Sequence, residues 1–183
     1  MGSVRMGEIE VSGRAGDELV ARGLGSCIGL ALVDRFAGIA GLAHIVLPES
    51  SESDRELGKF ADLAVPALID AVVRAGASRH RLEAVLAGGA RMFELGDLDI
   101  GARNGEAVRS GLAASGLSVR ASATGGNRGR TMRVEVGVCT VTVKEAGGRA
   151  TTLLDGSGPA ARARAAAGAG VPATTIPAMG ARR

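Results

Sequence analysis

Aromatic side chains are almost missing. The 183 residues include no Trp, no Tyr and three Phe, so the platforms on which single-stranded nucleic acid stacks are not available. Cysteine is scarce as well. Cys27 and Cys139 are too few to staple a small secreted domain, and with His44 and His80 they form no zinc-ligand spacing. No apolar run is long enough to cross a bilayer. The first residues carry no signal-peptide apolar segment, and Met6 stands where a myristoylation pattern requires Ser or Thr. Outside the C-terminus there is no excess of charge. The net +3 of the chain comes from Arg162, Arg164, Arg182 and Arg183 against Asp155, and residues 1–150 sum to zero. A body without net charge presents no basic groove, which removes the electrostatic support for nucleic-acid binding. The glycine-rich stretch 124–130 has no Walker lysine followed by Ser or Thr and does not open a helix after a strand, so a nucleotide site is not expected. These absences leave a soluble, reduced, cytoplasmic protein, not inserted in a membrane.

What is present is small and aliphatic. Hydrophobic residues make up 46% of the chain, mostly Ala, Val and Leu, enough for one domain with a sizeable core. Residues 8–11 and 18–21 read as short strands. The apolar runs 28–33 and 39–47, around the polar turn 34–38, read as a hairpin of buried strands. Residues 49–58 are polar and loop-like. Residues 59–75 have helical spacing with one apolar face, and Pro66 is expected to kink that helix or limit its first turn. Another apolar strand, 82–87, runs into the turn Gly88-Gly89-Ala90. Asn104 reads as the cap of a second helix that Gly116 closes, with Ala107, Val108, Gly111 and Leu112 facing inward. Residues 117–123 read as a strand, and 131–136 with 138–144 as a hairpin around Gly137. The fold class is therefore α/β: mixed or mostly antiparallel sheets packed with two main helices over residues 1–149. Residues 150–183, with three of the five prolines and much Ala, Gly and Arg, read as a disordered tail.

One pairing carries chemistry. Cys27 closes the turn Gly23-Leu24-Gly25-Ser26-Cys27, and His44 lies near the end of the neighbouring strand. Antiparallel strands bring those two ends together, so a thiol nucleophile and an imidazole base can meet there. Gly23, Gly25 and Gly29 leave room around the sulfur, and backbone N–H groups near Gly25 and Ser26 can receive an oxyanion. An imidazole within reach is expected to lower the thiol pKa. Cys139, flanked by Val138 and Thr140, reads as a mid-strand core residue. His80, between Arg79 and Arg81, reads as a solvated one.

Several separated blocks, in order, resemble the chemoreceptor glutamine deamidases called CheD. They are Leu24-Gly25-Ser26-Cys27, Asp34, Gly41 through His44 with Leu47-Pro48, Lys59-Phe60-Ala61-Asp62, Gly88-Gly89-Ala90 with Met92-Phe93, Ile100-Gly101 with Arg103-Asn104, and Gly125-Gly126-Asn127 with Gly129-Arg130. Any one block is weak, but their order and spacing are specific. The resemblance implies an α/β sandwich that hydrolyses glutamine side-chain amides on methyl-accepting chemotaxis receptors, with Cys27 and His44 catalytic and no cofactor. It implies the receptors as partners and, for some members, a CheC-type phosphatase. Asn104, Asn127 and Arg130 are candidate substrate contacts. One position departs from the family: a Thr six residues before the cysteine, counted with the catalytic set, is Ala21 here. Ser26 or a backbone carbonyl is then left to orient His44. Ala21 also supports a reading from another class, a non-catalytic adaptor that binds receptor or phosphatase.

Overall fold

The computed structural model describes residues 2–91, 99–157 and 171–177. Its elements form three layers. The middle layer is a six-stranded sheet that exists because its central sequences are apolar on both faces. β4 (Ile28–Asp34) and β5 (Ile39–Ile45) are buried at every position. That pattern suits a strand covered on two sides rather than one. The expected hairpin is present, with Ile28 opposite Ile45 and Asp34 opposite Ile39. β2 (Ile9–Ser12) flanks β5, and β6 (Glu83–Gly88) flanks β4. β7 (Val119–Thr124) joins β6 in parallel, and β11 (Thr174–Ile176) closes the opposite edge against β2.

Two helices cover one face of this sheet. α1 (Ala61–Arg74) buries Ala61, Ala64, Val65, Leu68, Ile69 and Val72 against Ile9, Val11, Leu30, Leu32 and Ala43. Pro66 lies within α1 but on its exposed side, so the hydrogen bond lost to its missing N–H falls toward solvent. α2 (Ile100–Ala114) packs beside α1, and Gly111 allows Val65 to approach within 3.3 Å of where a Cβ would stand. Gly116, at φ 74, follows the Ser115 cap in the left-handed region and stops the helix as expected.

The other face meets a five-stranded sheet of β1 (Gly2–Ser3), β3 (Glu18–Leu24), β8 (Arg130–Glu135), β9 (Thr140–Glu145) and β10 (Ala150–Leu154), in that order. A second core lies between the sheets, built from Leu19, Ala21, Leu24, Ala31, Val33, Leu42, Met132, Val134 and Val141 among others. Most positions there hold small aliphatic side chains, with no aromatic among the clustered residues.

The structure corrects three expectations. The second helix does not begin at Asn104. Asp99 caps it, its carboxylate accepting from the Ala102 N–H at 2.9 Å, while Asn104 lies inside the helix and is fully buried. Cys139 is core but not mid-strand: it lies in the turn between β8 and β9, at φ 59, with its thiol donating to the Asp34 and Ile39 carbonyls. The C-terminal tail is not uniformly disordered, because 150–154 pairs with β9 and 174–176 with β2. The rest of that tail, 158–170 and 178–183, lies outside the described residues, as do Met92 and Phe93.

Asp34 fixes the β4–β5 turn. Its fully buried carboxylate accepts from the N–H groups of Phe36, Ala37 and Ser78 and from the forked guanidinium of Arg81, at 3.1 and 2.8 Å. Burial alone would raise its pKa, but the Arg81 and backbone donors outweigh that and hold it below the ordinary carboxylate range. His80 is exposed.

Candidate active site

Cys27 occupies the crossover between the two sheets. β3 belongs to one sheet and β4 to the other, so residues 25–27 carry the chain across the end of the sandwich. The approach is shaped by a bulge. Pairing of β3 with β8 slips between Ala21 and Leu24, and Gly23 takes φ 70, which allows the Gly25 N–H to reach back to the Gly23 carbonyl at 2.8 Å.

All three carbonyls of the crossover are tied on one side. The Gly25 oxygen accepts from the Ala90 N–H at 2.7 Å, and the Cys27 oxygen from the Gly89 N–H at 2.8 Å. The Ser26 oxygen accepts from the Asn104 side-chain amide at 2.9 Å. This explains the Gly88-Gly89-Ala90 turn. A Cβ on Gly88 would stand 2.1 Å from the Cys27 oxygen, and the residue sits at φ 108. In a trans peptide the N–H points opposite to the preceding C=O, and there are no cis bonds among the described residues. The Ser26 and Cys27 N–H groups are therefore aimed away from these ties, and no described backbone group accepts from them.

His44 faces the same side of the sheet as Cys27. Register places His44 opposite Gly29, and Cys27 lies two residues before Gly29, in the bend that leads into β4. The N-terminal segment holds the histidine backbone: Gly7 N–H donates to the His44 carbonyl at 2.8 Å and His44 N–H to the Glu8 carbonyl at 3.0 Å. The ring Nδ1 lies 3.3 Å from the Val4 carbonyl oxygen. A carbonyl can only accept, so Nδ1 carries the proton and Nε2 is left with its lone pair. That Nε2 is buried and has no hydrogen-bond partner among the described residues.

Burial sets the protonation of both groups. It pushes the Cys27 thiol above its ordinary value, offset in part by the residue's own backbone N–H. It pushes the His44 imidazole down, against the opposing pull of the Val4 carbonyl and the Glu8 charge. Both groups are therefore neutral at rest, and no hydrogen bond joins the Cys27 sulfur to the His44 ring. The expectation of a thiol pKa lowered by His44 is thus corrected: desolvation dominates and no ion pair is formed at rest. Cys27 keeps 8% of its surface exposed and His44 only 2%, so both residues are buried.

Other sequence candidates are placed differently. Gly29 does not leave room for a substrate, because Leu24 and Met132 fill the space where its side chain would stand, at 2.8 and 3.2 Å. Gly25 and Ser26 lie in the crossover, their carbonyls held by the Ala90 N–H and the Asn104 amide. Asn104 offers no surface to a substrate; it is fully buried and donates to the Ser26 and Val46 carbonyls. Arg130 is also buried, and its guanidinium is engaged by the Gly88 and Gly125 carbonyls and by Glu145. Asn127 is exposed. Ala21 is fully buried in the layer between the sheets, in the same cluster as Cys27. The residue that sequence reasoning missed is Val4. A main-chain carbonyl has no side-chain signature, although a backbone acceptor for His44 was among the alternatives. Among the described residues no cluster of three or more His, Cys, Asp or Glu is placed to hold a metal ion, and no helix is long and apolar enough to cross a membrane.

Comparison with known proteins identifies the family. The chain matches the family model for CheD, described as CheD chemotactic sensory transduction, over residues 46–145, which begin just after His44. A protein of Symbiobacterium thermophilum named probable chemoreceptor glutamine deamidase CheD is 47% identical over 152 residues, covering 79% of this chain and 92% of that protein. One of the same name from Clostridium botulinum (strain Hall) is 41% identical over 141 residues, covering 74% and 87%. With more than half of its length matched by the family model and relatives aligned over nearly their whole length, the chain belongs to the CheD family.

Proposed function

We propose that this protein hydrolyses glutamine side-chain amides on methyl-accepting chemotaxis receptors, giving glutamate and ammonia, with Cys27 as nucleophile and His44 as base. The observation that carries the reading is the unpartnered Nε2 of His44, tautomerically set by the Val4 carbonyl, on the same face as Cys27, a buried residue that keeps 8% of its surface exposed. The relatives' names, chemoreceptor glutamine deamidase, supply the substrate class.

The chemistry proceeds by acyl transfer. As the Cys27 sulfur attacks the carboxamide carbon, Nε2 of His44 takes the thiol proton, so a resting ion pair is not required. The carbonyl oxygen becomes an anion received by the Ser26 and Cys27 N–H groups, held in place by the ties on the opposite side of their peptides. The protonated imidazole then delivers its proton to the departing nitrogen. The C–N bond breaks, ammonia leaves and a thioester remains. Water, deprotonated by the same Nε2, attacks the thioester; the C–S bond breaks, and His44 returns the proton to sulfur as glutamate is released. The Val4 carbonyl stabilises the imidazolium at both stages, the role for which the family's Thr is absent here.

A substrate glutamine on a receptor helix calls for a shallow site. A depression of about 430 Å³ near the crossover is lined by Gly89, Arg91, Glu106, Arg109 and Gly126, among others, and by neither Cys27 nor His44, so it suits contact with the receptor around the glutamine rather than the glutamine itself. Its charges are of both signs, which suits recognition by local contacts rather than long-range attraction. Mass spectrometry of a co-expressed receptor cytoplasmic fragment tests the reading. Wild-type protein converts specific glutamines to glutamate and Cys27→Ala does not, while receptor binding persists. Ala21 favours a second reading, an adaptor that binds receptor or a CheC-type phosphatase without chemistry; receptor binding by a wild type that converts no glutamine would support it.

A further inference from the structure

We infer that Asn104 is a positioning residue for the reaction, holding the Ser26–Cys27 peptide so that its N–H points at the developing oxyanion. The inference rests on the deamidase reading above and deepens it. Asn104 belongs to α2, yet its amide nitrogen donates both protons outside the helix, to the Ser26 carbonyl and the Val46 carbonyl, each at 2.9 Å. These acceptors lie 78 and 58 residues away in sequence. Two carbonyl acceptors require the nitrogen on that side, which settles the amide's orientation.

Both acceptors bear on the site. The Ser26 carbonyl and the Cys27 N–H belong to one peptide plane, so anchoring the oxygen aims the N–H. Val46 is the first residue after β5 and lies two residues after His44. One side chain thus joins the nucleophile's peptide to the strand that carries the base. The remaining oxygen, Oδ1, is buried with no partner among the described residues. An unsatisfied buried acceptor is costly, and an apolar side chain would avoid it. The two donated bonds are therefore the physical reason for an asparagine here. The helix can bring Asn104 this close because Gly101 thins the same end of α2: a Cβ there would stand 2.6 Å from the Gly89 oxygen.

The test compares wild type, Asn104→Leu and Asn104→Ser on a receptor cytoplasmic fragment, with thermal melting and iodoacetamide alkylation of Cys27 measured alongside. Leu keeps the approximate volume and removes both donors; Ser retains one. Alkylation needs the thiol but no oxyanion site. The expected result for Asn104→Leu is a kcat lower by about 10²-fold, as for loss of an aimed oxyanion donor, with KM and alkylation rate changed by less than about threefold. Asn104→Ser falls between Leu and wild type, and serves alone if the Leu variant does not fold. Unchanged kcat in a folded variant overturns the inference. So does a fall in alkylation parallel to kcat, which marks general loosening. A wild type inactive on the same fragment instead removes the deamidase reading, and this inference with it.

Discussion

Two glycines one turn apart in α2 predict opposite responses to the same substitution. Ala is favoured over Gly by about 0.8–1.0 kcal/mol in a helix interior, so chain entropy alone would make both changes stabilising. At Gly105 nothing opposes it: the new Cβ meets only Ile28 Cδ1 at 3.8 Å, an ordinary contact. Gly105→Ala is expected to stabilise by about 1 kcal/mol, a rise of about 2–4 °C in Tm for a chain of this size. At Gly101 the Cβ would stand 2.6 Å from the Gly89 oxygen and 2.7 Å from both the Ala90 oxygen and the Gly89 carbonyl carbon. All three are main-chain atoms, so no rotamer change relieves the overlap; the helix start or the turn must move by most of an ångström. Overpacking of this kind costs about 1–3 kcal/mol, and the shift stretches the Asn104 bonds, each contributing about 1 kcal/mol net. Gly101→Ala is therefore expected to destabilise by about 2 kcal/mol after the helix gain is subtracted. Urea titration with thermal melting of both variants measures this. A Gly101→Ala protein as stable as Gly105→Ala would refute the claim that α2 is in close contact with the turn supporting Cys27.

Other outcomes follow from the same geometry. Asp34→Asn leaves the Arg81 fork and three backbone donors mismatched and is expected to cost about 2 kcal/mol, a moderate value because Arg81 is partly exposed; equilibrium unfolding at neutral pH reads it. Because the folded Asp34 pKa lies below 3.8, its stabilisation is complete above that value and is lost as pH falls through the folded pKa. His44 acts in the same direction at higher pH: its folded pKa is below 6.5, so the unfolded chain binds more protons and stability drops as pH falls below 6.5, by at most about 1.4 kcal/mol per pH unit. His44→Gln removes that slope in unfolding titrations. Ala21→Thr places a hydroxyl in a fully buried position. With the Val4 carbonyl already orienting the imidazole, turnover is expected to rise by no more than a few-fold, and a hundred-fold gain in a kcat assay would show that the carbonyl does not suffice.

Much of this arrangement was legible because burial on two faces leaves a strong pattern. The runs that became β4 and β5 are uninterruptedly apolar around Asp34 to Gly38, and that alone places Cys27 and His44 at the same end of neighbouring strands. What was illegible depends on the main chain or on tertiary contact. Asn104 has the chemistry of a helix cap, yet tertiary carbonyls claim its amide inside the helix. Cys139 sits in an alternating sequence that imitates a strand, but the chain turns there with positive φ. The strands at 150–154 and 174–176 lie at sheet edges, rich in Ala and Thr and mostly exposed, so backbone pairing holds them and side chains announce little. The pKa directions could not be read either, because proximity of imidazole to thiol suggests an ion pair until the burial of both is known.

The central claim is that the Cys27 sulfur becomes covalently bonded to the substrate's acyl carbon while Nε2 of His44 moves the proton. Acid quenching of excess protein mixed with a receptor cytoplasmic fragment, followed by mass spectrometry, addresses it directly. The account predicts a hydroxylamine-labile thioester joining Cys27 to the side chain of a receptor glutamine, formed by wild type and absent from Cys27→Ala. Glutamine conversion at an undiminished rate by Cys27→Ala, with no adduct on the wild-type cysteine, would contradict it.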